Sequence, residues 1–274
     1  MVLTLIASFL GSSISLGTLI FLLFIALIGG ICITTIGPGG IFVTIALFVL
    51  LPLSPGAVAG TASATFIATG IAGSLGYLQS GELNNWDAVK AAIVLGLTSI
   101  AGSYIGSEVN KLMDGSAFAL VLGGFVIFIG CIILYRQYNT LAQEKRLNIG
   151  SLKGLIWMGI VGLLVGFPGG MLGLGGPVFA VPLLVVLGAP MLLSVALAQV
   201  QSVFISGMAT VGYALQGVIQ WKLAFLLVIP LLIGTVSGWY IAQRIPVKRL
   251  KVALAFVLVG LGFYLILGGA PPPS

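Results

Sequence analysis

From about residue 17 to residue 268 the chain is a train of long apolar runs whose few charges stand at the run ends. A charge-free run of about 20 residues is most stable as a helix across bilayer hydrocarbon, where every backbone N–H and C=O is bonded within the segment. With 59% hydrophobic and 6% charged residues and 40 glycines, the composition predicts an all-α polytopic membrane helical bundle rather than a globular enzyme. The apolar start Met1–Leu10 contains no Lys or Arg, so it lacks the basic flank of a secretory signal and is read as part of the mature protein. The net charge of +6 raises the question of nucleic acid, but the basic residues gather at segment ends, as membrane topology requires, and no nucleic-acid partner is expected. Cys32 and Cys131 lie within apolar runs and form neither a disulfide framework nor a metal-ligand pattern.

The runs fall into two series of five, at about 17–36, 40–51, 55–79, 86–107 and 115–136, then about 153–172, 176–187, 190–216, 221–243 and 248–268. The polar stretch from Gln137 to Gly150 separates them, so the expected division is a first transmembrane repeat (1–138), a cytoplasmic linker (139–152) and a second repeat (153–274). Each series holds a glycine cluster at the same place, Gly37-Pro38-Gly39-Gly40 and Gly173-Leu174-Gly175-Gly176-Pro177, 136 positions apart. Further pairs follow in order: Pro55 and Pro190 opening helices, Gly76-Tyr77 and Gly212-Tyr213, Gly81 and Gly217, Trp86 and Trp221, and Gly102-Ser103-Tyr104-Ile105 and Gly238-Trp239-Tyr240-Ile241. The two tryptophans follow polar turns, which suits anchoring at the membrane surface.

The runs after the glycine clusters are about twelve residues, roughly 18 Å as helix, too short for a hydrocarbon core of about 30 Å. Each cluster therefore either divides one crossing or turns a hairpin back. With hairpins, the repeats are inverted and a cytoplasmic linker places nine basic residues inside and two, Lys111 and Lys222, outside. With divided crossings, the tally is six against five. The charge rule selects inverted-topology repeats with re-entrant helix hairpins and both termini outside the cytoplasm.

In such an arrangement broken helices meet near the bilayer midplane and turn their N-terminal N–H groups and positive dipole ends toward an anion. Gly37, Pro38, Gly39, Gly40, Gly173, Gly175, Gly176 and Pro177 are thus candidate substrate-binding positions. Thr61, Ser63 and Thr65, with Thr69 on the same face as Thr61 and Thr65, and Gln199, Gln201 and Ser202, with Ser206, supply neutral hydrogen-bonding groups on the helices that follow. The glycines at 29–30, 123–124 and 159–166 are expected only to pack helices closely. There is no His, and all five acids stand at or beyond segment ends, so no membrane-buried proton relay is apparent. No nucleophile and base pair, zinc spacing or phosphate loop appears, and no cofactor or metal is expected. Cys32 is the sole foothold for a membrane-embedded enzyme.

Two halves, each with a glycine-rich break, a short apolar run, a small and polar stretch (Ala59-Gly60-Thr61-Ala62-Ser63; Ala196-Leu197-Ala198-Gln199) and a Gly-X-Tyr-Ile or Gly-Trp-Tyr-Ile helix, resemble the TauE/SafE family of sulfite and organosulfonate exporters. The resemblance runs from about Leu16 to Leu267. It implies export of small sulfur-containing anions such as sulfite or sulfoacetate across the plasma (inner) membrane. Pro38 stands where the family more often has an aliphatic residue, and Gln199-Val200 where a Thr-Ser pair is common, so the substrate is open to difference. A passive anion channel is the alternative reading. Small-residue faces serve packing within a chain and between copies alike, which leaves a homodimer open.

Overall fold

The computed structural model describes residues 15–138, 149–244 and 248–268. The start Met1–Leu10 and the linker residues Glu144, Lys145 and Arg146 lie outside the described residues. Among those described, the chain forms helices and no strands: α1 (Leu16–Thr35), α2 (Gly40–Leu50), α3 (Pro55–Gln79), α4 (Trp86–Asn110), α5 (Gly115–Tyr138), α6 (Leu152–Leu172), α7 (Pro177–Val186), α8 (Met191–Leu215), α9 (Trp221–Arg244) and α10 (Lys248–Gly268). Seven of them, α1, α3, α4, α5, α6, α8 and α9, are long and apolar enough to cross a membrane. The protein is a multi-pass membrane protein.

Local side-chain chemistry sets five of the ten described helix starts. Ser15, Ser54 and Ser151 accept a hydrogen bond from the backbone N–H three residues on, and Asn85 accepts from Asp87 N–H, so orphan donors of α1, α3, α6 and α4 are satisfied by side chains. Asp114 Oδ1 does the same for Ala117 at the start of α5. The two short helices α2 and α7 begin at Gly39 and Gly176 with no side-chain cap, although both starts are buried.

The helices pack through small residues. A Cβ at Gly30 would stand 2.3 Å from the Leu231 carbonyl oxygen, and one at Gly234 2.2 Å from that of Leu27, so α1 and α9 touch backbone to backbone. The α4 and α6 pair does likewise, with Gly166 against Ser99 and Gly170 against Ser103. Thr34 Oγ1 donates to Thr235 O at 2.8 Å across the first of these seams. The glycines expected only to pack include Gly30, Gly123, Gly162 and Gly166, each of which meets a neighbouring helix, whereas Gly124 faces open space.

The order of contacts gives the helix directions. Along α4 and α6, residues 98, 99 and 103 meet 162, 166 and 170 in rising order, so this pair is parallel, and α1 with α9 follows the same rule. Along α3 and α8, Gly60 meets Tyr213, Gly70 meets Val203 and Gly73 meets Gln199, so that pair is antiparallel. Along α5 and α10, Gly123 meets Gly262 and Gly130 meets Ala255, again antiparallel. Thus α3 and α8, and α5 and α10, which hold the same place in the two halves of the sequence, run in opposite directions.

Candidate functional site

Both glycine clusters reverse the chain. At the first, the N–H groups of Ile36 and Gly37 both donate to Cys32 O at 3.0 Å, and Gly37 takes φ +110°, open to glycine and costly for other residues. The chain then doubles back along α1: a Cβ at Gly39 would lie 2.2 Å from Gly29 O, and one at Gly29 lies 3.2 Å from Val43. At the second, Gly173 closes α6 in the left-handed conformation (φ 64°, ψ 43°) with its N–H on Gly169 O, and Gly175 returns to within 3.4 Å of a Cβ at Gly169.

The two reversals meet. Thr44 Oγ1 of α2 donates to Gly173 O at 2.7 Å, and a Cβ at Gly40 would stand 2.8 Å from Leu174 O. A Cβ at Gly37 would stand 2.8 Å from a methyl of Val181 on α7 and 3.0 Å from Pro177 O. Each hairpin is also tied from behind by a buried tyrosine. Tyr77 Oη donates to Thr34 O at 2.6 Å, and Tyr213 Oη lies 2.9 Å from Gly170 O. Tyrosine and acceptor are 43 residues apart in both cases, and each acceptor stands three residues before its break glycine.

The electrostatic consequence sits at the starts of α2 and α7. Among the described residues no acceptor is recorded for the buried N–H groups of Gly40, Ile41, Gly175, Gly176 or Val178. Unpartnered buried donors are uncommon in folded proteins, and a helix N-terminus carries roughly half a positive charge besides. Two such ends abut here in an interior without a cationic or anionic side chain among the buried residues.

The other expected positions divide. Ser202 lines the second break, with Oγ 3.2 Å from where a Gly175 Cβ would be. Gln199 Nε2 donates to Ile33 O at 3.1 Å, behind the first break, while its Oε1 has no partner. Gln201 is fully buried with neither amide atom bonded, and Ser206 and Thr210 hydroxyls on the same helix are likewise unpaired. Thr65 Oγ1 donates to Ala62 O at 2.7 Å and Thr69 Oγ1 to Phe66 O at 3.1 Å. Ser63 is buried on the same helix. Thr61 accepts from Gln220 N–H at 3.0 Å and so serves the turn between α8 and α9. Pro38 and Pro177 are buried in the reversals, Pro177 as the first residue of α7, where the missing N–H is no loss.

Sequence reasoning overlooked Phe66, whose ring reaches both breaks, and Thr44 and Asn110, whose side chains bond the second break and its approach (Asn110 Nδ2 to Met171 O, 2.7 Å). A signal for Phe66 existed, since it is the sole aromatic between Pro55 and Gly76. Cys32 lines a different feature, an apolar groove of about 540 Å³ between α1, α2 and α10 that also includes Phe24, Ile28, Phe42 and Leu261.

Comparison of the sequence with known proteins identifies its relatives as membrane transporters. The sequence model described as Sulfite exporter TauE/SafE matches residues 22–265. The chain is 27% identical to the probable membrane transporter protein YunE of Bacillus subtilis (strain 168), over 98% of this chain and 96% of that protein. It is 22% identical to a probable membrane transporter protein of Xylella fastidiosa (strain 9a5c), over 84% and 87% of the two chains. It is 25% identical to the probable membrane transporter protein MJ0441 of Methanocaldococcus jannaschii, over 67% and 69%. No solved structure matches. A helical membrane protein with paired glycine reversals, matched almost end to end by that family, belongs to the TauE/SafE family of membrane transporters.

Proposed function

We propose that the protein is a secondary transporter that exports small sulfur-containing anions, sulfite or organosulfonates such as sulfoacetate, across the plasma membrane, binding them at the midplane between the two glycine breaks. The observation that carries this reading is the meeting of two buried, uncapped helix N-termini whose amides have no recorded protein acceptor. Their dipole ends together amount to roughly one positive charge, and backbone N–H groups match the oxygen-rich surface of an oxyanion. Neutral donors suit an anion that must also leave, because a fixed buried cation would hold it more tightly. The family's description as sulfite exporters supports the choice of anion.

Two inverted repeats, 1–138 and 153–274 joined by a cytoplasmic linker at 139–152, account for the opposed directions of α3 and α8 and of α5 and α10. The short helices α2 and α7 are then re-entrant, and each hairpin is bound to its own half through Tyr77 or Tyr213. Rocking of one half against the other exposes the anion to the two sides in turn. No side chain is needed as acid, base or nucleophile.

The test is counterflow in proteoliposomes with labelled sulfite. We expect uptake to saturate and to accelerate when unlabelled sulfite is loaded on the opposite side. Conductive flux without such acceleration assigns the same site to a passive anion channel.

A further inference from the structure

We propose that Phe66 sets the size limit of the anion site, an inference that rests on the binding reading above. The offset of 136 residues that relates Gly40 to Gly176 also relates Phe66 on α3 to Ser202 on α8. Each also stands against its own break, Phe66 through the tip of its ring and Ser202 through its backbone. A Cβ at Gly40 would lie 3.1 Å from Phe66 Cζ, and one at Gly176 3.0 Å from Ser202 N. The two residues are therefore equivalent walls of the two breaks, and they differ greatly in bulk.

Ser202 is short and leaves a hydroxyl beside Gly175. The base of the Phe66 ring stands at the other break, its Cδ2 3.4 Å from where a Gly175 Cβ would be, and its tip reaches its own break at Gly40, so a single ring touches both reversals. The ring is buried, at 2% exposure, and brings no hydrogen-bond donor to a place otherwise rich in N–H groups. Its π-face is electron-rich and favours no anion, so what it contributes is volume. An oxyanion seated on the amides of Gly40, Gly175 and Gly176 has Ser202 on one side and an apolar wall on the other. The space left by that wall decides how long a carbon substituent on the anion can be.

The experiment uses the purified full-length protein in lipid nanodiscs, titrated with sulfite and with methane-, ethane-, propane- and butanesulfonate by calorimetry. In the wild type, affinity is expected to fall as the alkyl chain grows. In Phe66→Ala, propane- and butanesulfonate should gain about tenfold or more relative to sulfite, the usual worth of a methylene that finds room in an apolar pocket. Phe66→Leu should gain less, and provides the test if the alanine variant fails to fold. Sulfite binding with the same chain-length profile in wild type and in the folded variants overturns the role of Phe66 while leaving the anion site intact. A wild type that binds none of these anions overturns the binding reading itself and this inference with it.

Discussion

Gly39 and Gly40 are neighbours in one cluster, yet they do different things. Gly39 lies against α1 and holds the hairpin closed, so a leucine there would collide with the Gly29 carbonyl and destroy the fold before it tested binding. Gly40 and Gly175 face the opposite break or the walls around it. Gly175 has φ +70°, so Gly175→Ala is expected to cost about 1 to 2 kcal/mol of backbone strain, which a bundle of this size tolerates. Its methyl would sit 3.2 Å from Ser202 Oγ, where the anion is proposed to bind. We expect membrane expression and size-exclusion behaviour like wild type, with transport reduced about tenfold or more by misplacement of the amides. Normal transport would mean that Gly175 only packs. Glycine clusters as such were legible in the sequence, but which glycine approaches which carbonyl was not, because that depends on chains 130 or so residues away, as in the bond from Thr44 to Gly173.

The elements tell the same story through their ends. Helix starts near residues 17, 55, 86 and 153 were readable from hydropathy and, at Pro55, from the local fit of proline to a first helical position; the caps at Ser15, Ser54, Asn85 and Ser151 then fix them in the structure. The reversals were harder: a twelve-residue apolar run excludes a full crossing but is equally compatible with a divided one. The charge tally favours the hairpin, and what supports that proposal is Gly39 lying on Gly29, with Tyr77 and Tyr213 bonded to the carbonyls before each break. Those two bonds give a paired prediction. Tyr77→Phe and Tyr213→Phe each remove a buried donor from a carbonyl, and each should lower unfolding stability by about 1 to 3 kcal/mol. Thermal unfolding in detergent should show similar losses for both. A loss confined to one tyrosine would mean that the two hairpins are not equivalently tied. Thr44→Val removes the bond to Gly173 O, which joins the two breaks directly. It should reduce transport more than stability, checked by comparing counterflow rate with melting point; stability loss alone would assign Thr44 to packing.

For the whole molecule the central question is orientation. Lys90 and Lys222 stand near the starts of α4 and α9, which hold the same place in the two halves. Inverted repeats put them on opposite sides of the membrane. In a Cys32→Ser, Cys131→Ser background, Lys222→Cys should react with an impermeant maleimide on intact cells, and Lys90→Cys only after permeabilisation. Labelling of both from one side would sink the inverted arrangement. The charge tally that anticipates this outcome uses residues spread over the whole chain, and it was legible without coordinates because membrane insertion responds to flanking charge rather than to packing.

What the sequence determined by itself was the membrane, the helices and the two places where backbone order breaks, since all of these follow from hydropathy and local backbone chemistry. What only the tertiary structure decided was that the breaks abut, that Thr61 belongs to a turn while Ser202 belongs to a break, and that Phe66 spans both. Contacts of that kind depend on how closely two helices approach, and in a bundle seamed by glycine that distance is set jointly by residues remote from one another in the chain.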